Sequence, residues 1–141
     1  MHLATARIIL DAAQAHARAN DFKPLAIAVL DPRGAVRAFI AEDGASLHRG
    51  DVAIGKAYGA IALGMPSRSI GKRAEQQAYF VAAMSHITGG KMVPVGGGVL
   101  IRDASGALVG AIGISGDTSE NDEAACCAGI AAAGLVAETG V

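Results

Sequence analysis

Apolar residues recur at helical spacing near the start of the chain. The side chains that would share one face are Leu3, Ile8, Leu10, Ala13 and Ala17. We therefore predict a helix over residues 3–19. Asn20 and Asp21 are poor helix formers, and Pro24 prevents continuation because it lacks a backbone N–H.

Short runs of branched and small apolar residues then predict strands. The predicted strands are residues 25–31, 35–42, 92–95, 99–102 and 107–115. Two Asp-x-x-Gly turns, at residues 31–34 and 103–106, join four of them into two hairpins. The similarity of the turns fits a duplicated hairpin unit and fits common turn chemistry equally well.

Three further helices are predicted at residues 51–63, 67–84 and 119–137. Ser67 is the expected N-cap of the second, and Ser119 with Asp122 resembles a capping box at the third. Hairpins rather than crossovers between the strands predict an α+β fold, with an antiparallel sheet flanked by helices. Residues 1–141 are expected to form a single domain.

Apolar residues make up 52% of the chain and the mean hydropathy is +0.39. No apolar run approaches the ~18–20 residues of a membrane span. The amphipathic N-terminus does not resemble a signal peptide, so a cytoplasmic protein is expected. Surplus apolar surface on a small domain predicts a homo-oligomer.

Charge and aromatic content argue against nucleic acid as a partner. Twelve basic and 13 acidic residues give a net charge of −1, aromatic residues make up 4%, and Trp is absent. Cys126 and Cys127 are adjacent and lack metal-ligand spacing, which predicts small core residues in a reducing compartment.

Five motifs, in order, resemble a known family. They are Ala28-Val29-Leu30-Asp31-Pro32-Arg33-Gly34, Asp43-Gly44-Ala45, Gly55-Lys56-Ala57-Tyr58, Gly96-Gly97-Gly98-Val99, and Gly110-Ala111-Ile112-Gly113-Ile114-Ser115-Gly116, closed by Glu120-Asn121-Asp122-Glu123. The chain is similar over nearly its whole length to the haem-degrading domain family, also called GlcG/HbpS-like. The family includes haem-binding proteins and the C-terminal domain of PduO-type corrinoid adenosyltransferases.

This resemblance implies a profilin-like, five-stranded antiparallel sheet between helices, assembled into dimers or larger rings. It implies haem as the cofactor of a small-ligand-binding protein. Glu75 stands alone in the 67–84 helix, where the family can carry a Glu-x-x-Glu iron-binding pair, so no metal site is predicted.

Lys56 and Glu120 are the candidate catalytic residues, because both lie in motifs shared with the family. Lys56 could neutralise a carboxylate or propionate or act as a base, or it could be a solvated helix lysine. Glu120 could act in acid–base chemistry, but helix-dipole stabilisation also explains the acidic start of the last helix. Ala57 replaces the Ser/Thr of a phosphate-binding loop, which argues against a nucleotide site.

The candidate cofactor-binding residues are His48, His86, Lys56, Gly96, Gly97 and Gly98. His48 and His86 lie in predicted loops and could ligate haem iron, or could simply be exposed. Three consecutive glycines predict a bulge, or the close approach of another backbone, a ligand or a subunit. A basic stretch at residues 68–73 could receive propionates or be a solvated face.

We therefore predict a protein that binds haem or a related tetrapyrrole. A cofactor-free enzyme of the lyase or isomerase type, acting on a carbonyl or carboxylate metabolite at a subunit interface, is the alternative. An accessory subunit without chemistry is the third hypothesis.

Overall fold

The computed structural model describes residues 1–140. Its helices are α1 (Leu3–Ala19), α2 (Arg49–Leu63), α3 (Ser67–Gln76), α4 (Ala78–Ile87) and α5 (Ser119–Ala132). Its strands are β1 (Ala26–Leu30), β2 (Val36–Ala41), β3 (Gly98–Arg102), β4 (Leu108–Ser115) and β5 (Val136–Glu138). The strands form one antiparallel sheet in the order β2-β1-β4-β3-β5. The predicted α+β fold with a five-stranded antiparallel sheet is confirmed.

The two faces of the sheet carry side chains of different size. Helices α1 and α5 pack on a face of branched residues that includes Ile27, Val29 and Ile112. Helix α2 covers the other face, where alanines of the sheet meet alanines of the helix. Small residues on both sides allow α2 to approach the sheet closely. At Gly113 an added Cβ would overlap the carbonyl oxygen of Ala53 in α2.

The fifth strand is not at the predicted position. Residues 92–95 form no strand, because Met92 is buried against α3 and α4 in a small separate cluster with Ile70 and Val81. Strand β5 instead follows α5 and pairs with β3. The prediction of helix to residue 137 is therefore wrong at its end. Gly134, with a φ of +71°, takes the left-handed conformation that ends a helix.

The single helix predicted over residues 67–84 is two helices. Gln77 has a φ of −135° and a ψ of 61°, which interrupts the helix between α3 and α4. Pro66 rather than Ser67 occupies the N-cap position of α3. The Ser67 hydroxyl instead accepts a hydrogen bond from the Gly98 N–H, so this serine joins α3 to the sheet. Within residues 1–140, no helix is both long and apolar enough to cross a membrane.

Candidate functional site

Lys56 is buried between α2, the sheet and α5. Its side chain is 4% exposed. The ammonium Nζ donates to the carbonyl oxygen of Ile114 at 2.8 Å and to Asp122 Oδ2 at 3.2 Å. The interpretation of Lys56 as a solvated helix lysine is therefore wrong. All the strong contacts of its ammonium are with groups of the protein interior.

Asp122 forms the other half of this buried pair. Its second oxygen, Oδ1, accepts from the backbone N–H of Asp117 at 3.0 Å. Burial raises the pKa of Asp122, and the Lys56 ammonium opposes this effect without cancelling it. The predicted capping box is wrong, because Thr118 is the N-cap residue and its hydroxyl accepts from the Asn121 N–H. Asp122 therefore neutralises a buried cation instead of capping a helix.

The three glycines lie where α2 and α5 converge on the start of β3. Gly97 has a φ of +112°, and an added Cβ there would lie 2.9 Å from Lys56 Nζ. At Gly98 an added Cβ would overlap the Lys56 carbonyl oxygen. Gly96 is half-buried. A Cβ added there would have the Ser119 Cβ as its nearest neighbour, at 3.4 Å. The close approach predicted for this run is thus made, at Gly98, by the backbone of α2.

Of the three carboxylates at the start of α5, Asp122 and Glu123 are paired with cations and Glu120 is exposed. Glu123 accepts two hydrogen bonds from the Arg68 guanidinium, at 2.6 and 3.1 Å. Burial raises the pKa of Glu123, and Arg68 acts in the opposite direction. Glu120 is exposed to solvent. Because Lys56 is buried, the structure does not bring Lys56 and Glu120 together in an accessible site.

His48 occupies the N-cap position of α2, and its side chain is 78% exposed. Its Nδ1 lies 2.9 Å from Asp51 Oδ2. A proton on Nδ1, donated to this carboxylate, leaves the lone pair of Nε2 free to bind a metal. Sequence reasoning selected His48 and missed Asp51. The signal that could have found Asp51 is an acidic residue three positions after His48, at the start of a predicted helix.

Exposed apolar and basic side chains lie near the start of α2, where His48 is the N-cap residue. Leu47 is 87% exposed, and the Phe39 ring, whose residue is 43% exposed, lies against Gly50 in the first turn of α2. Arg49 is exposed and donates to the Ser115 hydroxyl at 3.2 Å. We refer to Phe39, Leu47, His48, Arg49 and Asp51 together as the His48 surface.

His86 lies in α4 and not in the predicted loop. His86 is exposed. Its neighbour Ile87 and Tyr79 of the same helix are both 73% exposed. None of the salt bridges within residues 1–140 involves the His86 ring. His86 therefore has an apolar setting like that of His48, without a carboxylate to orient it.

A metal site, the two cysteines and the basic stretch at residues 68–73 are the remaining features considered in the sequence. Among residues 1–140, no group of three or more His, Cys, Asp or Glu side chains could hold a metal ion. Cys126 is buried as predicted, and burial raises the pKa of its thiol. Cys127 is half-buried. In the basic stretch, the Arg68 guanidinium is hydrogen-bonded to the Glu123 carboxylate. The Arg73 guanidinium lies 3.9 Å from the centre of the Phe80 ring.

Comparisons with known proteins cover nearly the whole chain. Residues 1–131 match the model of the family described as haem degrading protein HbpS-like. The crystal structure of a PduOC haem complex is 25% identical in sequence, with a TM-score of 0.87, and the similarity covers 98% of each chain. A double mutant of HbpS from Streptomyces reticuli is 27% identical, with a TM-score of 0.78 over 93% of this chain and 85% of that chain.

Protein ORFY from Klebsiella pneumoniae is 20% identical, with a TM-score of 0.83 over 95% of this chain and 90% of that chain. At this identity the similarity extends to the fold alone. No curated protein matches the chain.

Proposed function

Because the chain belongs to the HbpS-like family of haem-degrading proteins, we propose that it binds haem or a closely related tetrapyrrole. The observation that carries the proposal is the similarity to PduOC, a protein solved as a haem complex, along 98% of both chains. A similarity of this extent leaves the same helices and strands available to form a ligand surface.

We propose that His48 is the axial ligand of the haem iron. Its Nε2 faces away from the Asp51 carboxylate that engages Nδ1, and metal-bound histidines are oriented by this kind of second partner. Bound haem would supply an iron centre whose reactivity depends on the residue that ligates it.

The rest of the His48 surface suits a flat amphipathic ligand. Leu47, the chain neighbour of His48, and Phe39, whose ring lies against Gly50 in the first turn of α2, provide exposed apolar area. The Arg49 guanidinium has five N–H donors, and its hydrogen bond to Ser115 leaves donors for a propionate. A ligand for iron, apolar area and N–H donors for a propionate would therefore be available near the start of α2.

This surface is open on one side, since Leu47 is 87% exposed. A second protomer would cover the outer face of the ring, which fits the expected homo-oligomer. Lys56, Gly97 and Gly98 would then act indirectly, by fixing α2 on the sheet. His86 is the second candidate for the axial ligand, because Ile87 and Tyr79 expose apolar surface near it.

A haemin titration followed by absorbance tests the proposal. The wild-type protein is compared with His48→Ala and His86→Ala, and His2→Ala and His16→Ala serve as matched controls from α1 and its N-terminus. We expect a saturable, red-shifted Soret band in the wild type that is lost in His48→Ala and retained in the other variants. Light scattering with and without haemin measures the assembly in parallel.

A titration equal to free haemin at every ratio would overturn haem binding. Loss of the band in His86→Ala alone would move the ligand to α4. Retention of the band in all four variants would exclude histidine as the only axial ligand. Circular dichroism of each variant separates a lost ligand from a lost fold.

A further inference from the structure

A groove runs between α1 and the edge strand β2, on the face of the sheet opposite α2. One part of it is a depression of about 320 Å³. The apolar residues that line it are Leu3 and Leu10 of α1 and Ala38, Phe39 and Ile40 of β2. Helix α1 packs mainly against α5, and Ala38 and Ile40 of β2 stay partly exposed beside it.

Two arginines lie at this depression. Arg7 comes from α1 and Arg37 from β2, and Asp11 is the acidic residue in the lining. Arg37 Nη1 donates to the carbonyl oxygen of Met1 at 2.8 Å, which holds its guanidinium beside the start of α1. Neither arginine forms a salt bridge within residues 1–140. The lining therefore has one positive charge more than its acidic residue can balance.

We propose that this groove binds a small amphipathic monocarboxylate. Its carboxylate would accept hydrogen bonds from Arg7 and Arg37, since guanidinium groups bind carboxylates through paired N–H donors. Its aliphatic tail would cover Leu3, which is 47% exposed, and would lie over Leu10 and Ile40. A pocket of this size, mostly apolar with a few polar groups, is typical of small-molecule sites.

One carboxylate on the ligand makes the charges equal. Arg7 and Arg37 contribute two positive charges, and Asp11 together with the ligand contributes two negative charges. A dicarboxylate would leave one negative charge in excess, and an amine would add to the positive charge. The charge balance thus selects a monocarboxylate over either.

The groove and the His48 surface share Phe39, but their charged residues differ. Apart from Phe39, the groove is lined by α1 and by the side of β2 that carries Ala38 and Ile40, which belong to the α1–α5 face, whereas His48 begins α2 on the other face. The proposal therefore does not depend on haem binding, and each can fail alone.

Octanoate is the probe, titrated into the protein by calorimetry with octanol and octylamine as uncharged and cationic analogues. We expect saturable binding of octanoate, with no saturable binding of octylamine. Arg7→Gln and Arg37→Gln should each weaken octanoate binding by about tenfold, because each removes a hydrogen-bond donor with a full charge. Arg33→Gln is the matched control, since the Arg33 side chain is 85% exposed and lies outside the groove.

Absence of saturable octanoate binding would overturn the proposal, and so would equal affinity for octanol. Unchanged octanoate affinity in both groove variants, or an equal loss in Arg33→Gln, would overturn the assignment to this groove. An oligomer in the wild type that Arg7→Gln and Arg37→Gln both dissociate, measured by light scattering on the same samples, would mean that a second copy of the chain covers the groove, which would also contradict the proposal. Haemin titration of Arg7→Gln and Arg37→Gln should match the wild type.

Discussion

Lys56 of α2 and Asp122 of α5 form an ion pair of 3.2 Å although they are 66 residues apart in the chain. Both side chains are almost completely buried, at 4% and 2% exposure. The Ile114 carbonyl and the Asp117 N–H occupy further hydrogen-bonding positions of the two groups. The pair therefore joins α2, β4 and the start of α5 at one end of the sheet.

Lys56→Met should destabilise the protein strongly. It leaves Asp122 buried without a cation, and breaking one half of a buried pair typically costs about 3–5 kcal/mol of unfolding free energy. Urea unfolding at neutral pH measures the effect. Lys72→Met, which removes an exposed lysine, is the control and should stay close to the wild type.

The double variant Lys56→Met with Asp122→Leu should regain much of this loss, because it leaves no unpaired charge in the interior. A Lys56→Met variant as stable as Lys72→Met would show that the ion pair contributes nothing to folding. A double variant less stable than either single variant would point to lost packing rather than to charge.

The same variant should also change how stability depends on pH. Burial raises the pKa of Asp122 above its usual 3.8, and Lys56 opposes that rise. A group with a raised native pKa binds more protons in the folded state than in the unfolded state. It therefore adds to the free energy of unfolding below pH 3.8, and this stabilisation is lost as the pH rises through the native pKa. Removing Lys56 raises this pKa further.

We therefore expect the unfolding free energy of Lys56→Met to fall more steeply than that of the wild type as the pH rises above 3.8. Urea midpoints at a series of pH values measure this. Parallel curves for the two proteins would mean that Lys56 does not control the ionisation of Asp122. Asp122→Asn on the Lys56→Met background should remove the extra slope.

The hairpin turns were predicted correctly because their determinants are local. Asp31 Oδ1 accepts from two backbone N–H groups of its turn, at 2.9 and 3.1 Å, and Asp103 Oδ1 does the same at 2.9 and 3.0 Å. Gly34 and Gly106 take nearly the same φ, +88° and +87°. Both residue types act within four positions of each other, so the sequence pattern was sufficient. The sheet places β1 between β2 and β4, and β3 between β4 and β5, so the first strand of each hairpin is an inner strand and the duplicated unit stays a hypothesis.

The errors lie where tertiary contacts decide the outcome. Alanines at the end of α5 favour helix, and only Gly134 marks its end, so β5 was missed. At the candidate site, Lys56 was identifiable as a residue of interest. Its burial and its pairing with Asp122 depend on how α2 and α5 pack on the sheet, and no local pattern contains that information.

Gly98→Ala and Gly96→Ala should differ sharply in stability. At Gly98 the added methyl group would overlap the Lys56 carbonyl, so that α2 must move away from the sheet. Such overpacking costs about 1–3 kcal/mol and occasionally more. At Gly96 the methyl group would lie 3.4 Å from the Ser119 Cβ, an ordinary contact, and we expect little change. Thermal or urea unfolding of both variants checks this, and equal stability would contradict the close packing of α2 at Gly98.

Asp51→Asn should weaken haem binding without abolishing it. Asp51 lies 2.9 Å from His48 Nδ1 and does not itself touch the proposed iron site, so it acts by orienting the imidazole. Loss of such a partner typically costs about 10–100-fold in metal affinity. Haemin titration of Asp51→Asn should therefore give a saturable Soret band at higher haemin concentration, whereas His48→Ala gives none. Asp43→Asn, which changes an exposed aspartate before α2, is the control. An Asp51→Asn affinity equal to that of the control would mean that His48 binds iron without its carboxylate, or that the ligand is another histidine, and the His48→Ala titration separates these two outcomes.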